Sequence, residues 1–178
     1  MKFGVLSFVL SGVMLATSAL PEINRVTDFT WFGTAQNQLR LYGFFAMTMF
    51  GAAYYILPRA VGIEFPFAKF IRAHFWCGVV GTLLLALPLG IGGIVQGFKL
   101  VNPNVPFLDV TKSALMFLRL STVGELVLAL GNLFFLFNVL AMIACYYRGV
   151  CTKAYAAVTT RLEPTPDPSE EGNAEVRV

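Results

Sequence analysis

Residues 41–57, LYGFFAMTMFGAAYYIL, run for 17 positions without a charge. That is the lower limit for an α-helix crossing the hydrocarbon of a bilayer, and the run stops at Pro58-Arg59, as a spanning helix should. In lipid a segment must satisfy its own backbone hydrogen bonds, so a chain built on such runs is held to helices. Three more runs belong with it, at residues 3–20, 75–97 and 123–146.

Composition agrees with that constraint. The chain is 57% hydrophobic and 13% charged, where a soluble domain carries about 25% charged residues, and its mean hydropathy is +0.70. With 178 residues and about 20 per crossing, four spans, their connections and a tail use up the sequence. The expected fold is an all-α integral membrane four-helix bundle over residues 1–150. A Pro-, Glu- and Ser-rich tail at 151–178 has almost nothing to bury and is expected to be largely disordered. Basic residues cluster at span ends, where they mark topology and point to the lipid bilayer as partner, not to nucleic acid.

Along the chain, residues 3–20 follow Lys2 and end in Thr17-Ser18-Ala19, so they read either as a retained helix or as a cleaved signal. Residues 22–40 read as a short polar connector, with Trp31 and Phe32 in an aromatic belt. Between Pro58 and Arg72 lies the connector with the clearest basic excess. The third span contains Pro88, which predicts a kink, and the pair Gly93 and Gly97, whose GxxxG spacing permits close helix contact. The connector from Phe98 to Thr122 is expected to hold a loop at residues 102–106 and a short interfacial helix at 107–120.

The fourth span carries the most polar groups. Gly124, Gly131 and Asn138 recur at intervals of seven, with Glu125 and Asn132 one step round. Polar side chains in hydrocarbon face protein, so this stripe is expected to contact another helix, in this chain or in a partner. In a fragment of a larger bundle it would be an outward face.

Little in the sequence points to catalysis. Cys77, Cys145 and Cys151 lack the spacing of a zinc or haem-attachment site, and no phosphate loop, nucleophile elbow or carboxylate cluster is present. His74 is the only histidine. A bis-histidine haem needs two imidazoles and an oxidase copper three, so one histidine builds neither site. Pairing His74 with a methionine such as Met47 or Met49 has no supporting arrangement.

One family does resemble the chain. Thr27-Asp28-Phe29-Thr30, Tyr42-Gly43-Phe44, Phe50-Gly51-Ala52, Tyr54-Tyr55 and Pro58-Arg59 fall in the order of the haem-bearing helix of subunit I of haem-copper oxidases, specifically the cbb3-type cytochrome c oxidases. Pro21, Asn24 and Arg25 resemble the end of the preceding helix. His74-Phe75-Trp76, Gly93, Gln96-Gly97, Arg119, Gly131-Asn132 and Asn138 resemble the two that follow. The likeness covers residues 1–147 and only the last four helices of such a subunit; the copper ligands and the other low-spin haem ligand belong to the part outside it. Counting back from Tyr42, Gln36 and Gln38 stand where the family has two haem-ligating histidines, and glutamine is a poor axial ligand.

The resemblance implies a retained first helix and a bacterial-type inner membrane protein. It also implies a non-catalytic, haem-free subunit with a structural or assembly role in a cbb3-type oxidase-like complex, with haem and copper in partner subunits that include a c-type cytochrome. The alternative is a haem- or quinone-binding subunit that takes part directly in electron transfer. Lys2, Arg59, Lys69, Arg72, Arg148, Lys153 and Arg161 on one side outnumber Arg25, Arg40, Lys99, Lys112 and Arg119 on the other, which places both termini in the cytoplasm.

Overall fold

The computed structural model describes residues 2–162, with side chains as far as Tyr155, and no strand occurs among them. The elements are α1 (Lys2–Ser18), α2 (Pro21–Thr27), α3 (Trp31–Gln38), a π-helical segment (Leu39–Ala46), α4 (Met47–Val61), α5 (Ala68–Val101) and α6 (Phe107–Leu162). α3, the π segment and α4 run on from one another as a single 31-residue rod, Trp31–Val61. The rod, α5 and α6 are each long and apolar enough to span a bilayer. α1 and α2 make a fourth span if their 105° bend is counted as a break within one crossing. The protein is thus an all-α membrane bundle.

The helices begin earlier than hydropathy suggests. The second spanning helix starts at Trp31, not Leu41, so the expected polar connector is itself helical. Two acceptors fix that start: Thr30 Oγ1 takes the Phe32 N–H at 3.3 Å, and Gln96 Oε1 of α5 takes the Trp31 N–H at 3.3 Å. Together they satisfy two of the four N–H groups that a helix start leaves free. The rod ends at Gly62, whose φ of +73° suits glycine, with its N–H on the Pro58 carbonyl. α5 continues through Pro88 as one helical element.

α6 is a single helix of 56 residues, so the expected interfacial helix and fourth span are parts of one element. Its sequence explains the continuity: no proline lies between Pro106 and Pro164. The helix also runs through residues 151–162, against the expected disorder there, because that stretch contains no glycine or proline. The rest of the expected tail, 163–178, lies outside the described residues.

α5 is the axis of the bundle. Leu85 and Leu89 of α5, Ala35 of α3 and Leu128 of α6 form its buried centre, flanked by Tyr42 and Leu118. Glycines set the helix separation. A Cβ at Gly124 would stand 2.6 Å from the Leu85 amide nitrogen and 2.8 Å from the Gly81 carbonyl oxygen. Those neighbours are backbone and cannot rotate away. Gly131 lies against Cys77 and His74, and Asn138 is fully buried, donating to the Phe67 carbonyl at 3.1 Å and accepting the Phe67 N–H at 3.2 Å. The Gly124, Gly131, Asn138 stripe therefore packs inside this chain against α5, not outward against a partner. Asn132 and Glu125, a step round the helix, are exposed.

The Gly93 and Gly97 pair receives the α2–α3 corner. A Cβ at Gly93 would overlap the Phe32 backbone nitrogen, and one at Gly97 the Val26 carbonyl oxygen. At the other extreme, a Cβ at Gly51 would meet nothing within 4 Å. Gly124→Ala should accordingly destabilise the protein by about 1–3 kcal/mol, the usual cost of overpacking, while Gly51→Ala leaves stability unchanged or slightly raised. Reversible unfolding of both variants in mixed micelles, followed by circular dichroism, measures the difference; equal stabilities would contradict this packing.

Candidate functional site

The rod carries the residues of interest, and the π segment divides them into two groups. In a π turn each N–H reaches back five residues, which loosens the winding and is commonest near functional sites. Here the looser winding lies where α1 presses on the rod. Gly43 is buried within it, and a Cβ there would stand 2.7 Å from Ser7 Oγ. Phe8 of α1 packs on Phe44, with ring centroids 4.7 Å apart. Gly4, Ser7 and Ser11 are the buried residues of α1, and their three- and four-residue spacing marks one helix face.

Gln36 and Gln38 lie just before the π segment. Gln36 is 8% exposed, and its Nε2 donates to the Ser11 carbonyl oxygen at 3.5 Å. Gln38 Oε1 is buried without a partner. Next to them, Arg40 donates to Asn37 Oδ1 at the exposed surface. The amide that occupies the first expected ligand position thus ties α1 to the rod.

His74 belongs to the opposite end. It is 4% exposed, where the sequence suggested an interfacial residue, and its Nδ1 is hydrogen-bonded to the Tyr54 hydroxyl at 2.9 Å. Phe50 meets the ring edge-on at a centroid distance of 4.5 Å, and Phe135 of α6 lies 5.5 Å away. Tyr54 is 18 residues beyond Gln36 along the rod, a rise of about 27 Å at 1.5 Å per residue. The histidine and the glutamines therefore cannot share a porphyrin. Among the described residues no cluster of three His, Cys, Asp or Glu side chains forms a metal site.

A haem held in the manner of the resembled family is a poor fit to these residues. Its two expected imidazole positions are amides, one of them bonded to α1, and the single imidazole is enclosed by aromatic rings with one nitrogen engaged. No step can be derived through a haem held by this chain. Several site residues had no advance signal. Tyr54 as the histidine's partner, Gln96 as a helix-start acceptor and the π segment itself depend on contacts far apart in sequence; the Gly4, Ser7, Ser11 face was missed as well, and its three- and four-residue spacing is the signal that could have found it.

These features define an all-α integral membrane protein organised around a π-wound helix with a polar start. The family model for Cytochrome C and Quinol oxidase polypeptide I matches residues 1–127, and the chain belongs to that family. Over 143 residues it is 28% identical to the Cbb3-type cytochrome c oxidase subunit CcoN1 of Stutzerimonas stutzeri, covering 79% of this chain and 28% of that protein. It is also 28% identical over 137 residues to Cytochrome c oxidase polypeptide 1 of Halobacterium salinarum, covering 75% of this chain and 21% of the relative. For Cytochrome c oxidase subunit 1 of Rhodobacter capsulatus the identity is 26% over 152 residues, with 80% and 27% covered. The chain spans less than a third of the length of each of these relatives.

The histidine–tyrosine pair gives a direct test of the site's packing. Tyr54→Phe removes the hydroxyl and leaves a buried nitrogen unpaired, which should cost about 1–3 kcal/mol. Adding His74→Phe should recover part of that loss, a coupling that a double-mutant cycle of unfolding free energies reads directly. Additive effects would mean the two side chains do not depend on each other.

Proposed function

We propose that this chain is a non-catalytic, haem-free membrane subunit of a cbb3-type cytochrome c oxidase-like electron-transfer complex, with a structural or assembly role. The observation that carries the reading is the pair Gln36 and Gln38, which stand where the family's haem-ligating histidines are expected. Gln36 uses its amide to hold α1 against the rod. A neutral amide in that bond stabilises helix contact and offers iron no imidazole.

Haem and copper then reside in partner membrane subunits, and a c-type cytochrome belongs to the same assembly. Support for that partner set comes from the relatives, whose names are those of cytochrome c oxidase subunits. The proposed location is a bacterial-type inner membrane with both termini in the cytoplasm. Support for that orientation is the count of Lys and Arg near the spans, Lys2, Arg59, Lys69, Arg72, Arg148, Lys153 and Arg161 against Arg25, Arg40, Lys99, Lys112 and Arg119, since the side richer in Lys and Arg faces the cytoplasm.

Expressed alone in a haem-replete membrane, the chain should give no b-type absorbance in oxidised or reduced spectra. Purified from its own membrane, it should bring oxidase subunits with it. A stoichiometric b-type signal that disappears in His74→Ala would replace this reading with that of a haem-binding subunit. A reporter fused after Val178 should be active only on the cytoplasmic side, and activity outside would reverse the orientation.

A further inference from the structure

A cavity of about 540 Å³ lies between α1, α4 and α5, with Phe50, Tyr54 and His74 of the site described above among its lining residues. Ala68, Ile71, Arg72 and Phe75 of α5 line one wall, at the i, i+3, i+4, i+7 spacing of a single helix face. Phe3 and Gly4 of α1 and Gly51 of α4 close the other sides. The lining is apolar except at few points, of which Arg72 is the only charge.

The end of the bundle at which this cavity sits is basic. Lys2, Arg59, Lys69 and Arg72 gather there against a single acidic residue among the described ones, Glu64. Arg59 is stacked on Tyr55 at 3.5 Å and donates to the Tyr55 carbonyl. Arg72 is exposed and has no carboxylate partner among the described residues. An apolar slot that ends at an unpaired guanidinium matches an amphiphile with an anionic head, because guanidinium and phosphate pair through two parallel N–H···O bonds.

We propose that this cavity is a site for an anionic phospholipid of the surrounding bilayer, with one acyl chain in the slot between α1, α4 and α5 and the phosphate on Arg72. Of the polar groups on the lining, the Tyr54 hydroxyl and His74 Nδ1 are bonded to each other, which leaves Arg72 and Thr48 for a ligand's polar end. The space beside Gly51 is open, since a Cβ there would meet no atom within 4 Å, so a large side chain at this position would enter the slot.

The test uses native membranes that contain the full chain and its partners, loaded with phosphatidylglycerol or phosphatidylcholine bearing a photoreactive acyl chain. After irradiation, mass spectrometry maps the adducts. Phosphatidylglycerol should label Met47, Phe50 and Phe75 about fivefold more than phosphatidylcholine, the preference one basic residue near a membrane surface provides. Arg72→Gln should bring that ratio near one while labelling continues, and Gly51→Phe should abolish labelling by both lipids while helix content is unchanged. Equal labelling in the unaltered chain, a preference that survives Arg72→Gln, or groove positions shielded from both lipids by a polypeptide or a quinone would overturn the proposal. The haem spectra do not depend on this outcome, so the subunit reading stands or falls separately.

Discussion

Backbone-to-backbone approach along α5 is the constraint on which the rest of the bundle depends. Between helices in lipid there is no hydrophobic drive of the kind that folds soluble proteins, so stability comes from dispersion and from polar groups that find partners. Both improve with closeness. α5 obtains it by placing glycine where a neighbour arrives: Gly78 under Met47, Gly81 under Leu128, Gly92 under Phe117, and Gly93 and Gly97 under the α2–α3 corner. α6 answers with Gly124 and Gly131. A helix with fewer glycines would stand off by the width of a methyl group, and the polar contacts beside these sites would lengthen with it.

Those polar contacts join elements that hydropathy alone would leave unrelated. Asn138 holds Phe67, the residue that starts α5, through both groups of its amide. Gln96 holds the first N–H of α3, and Gln36 reaches the backbone of α1. Each is a side-chain amide bonded to the backbone of another element. Thr82 Oγ1 and Gln38 Oε1 are the buried side-chain exceptions among the described residues. The pattern assigns structural work to the amides, including the one at an expected ligand position.

How much of this was legible depends on how local the cause was. The uncharged run at 41–57 announced a spanning helix because its message lies in consecutive residues. The family resemblance was legible in Tyr42-Gly43-Phe44 and Pro58-Arg59 for the same reason. The start of the rod at Trp31 was not, since it needs Gln96, 65 residues away, to accept an N–H. The stripe of Gly124, Gly131 and Asn138 was visible as a contact face, but the sequence could not say which helix it met. The sequence reading divides α6 into an interfacial helix at 107–120 and a span at 123–146, with Arg119 in the first and Glu125 in the second. A charge on an exposed face does not end a helix, and both residues are exposed.

The length of α6 has a mechanical meaning. Its last uncharged stretch ends at Tyr147, and the helix runs on from Arg148 to Leu162 without a glycine beyond Gly149 and without any proline. Fifteen residues of continuous helix extend about 22 Å, so the bundle carries a stiff mast past its charged end. Leu162 therefore stands about 36 Å along the same helix from Asn138, at a position set by helical geometry and not by a loop.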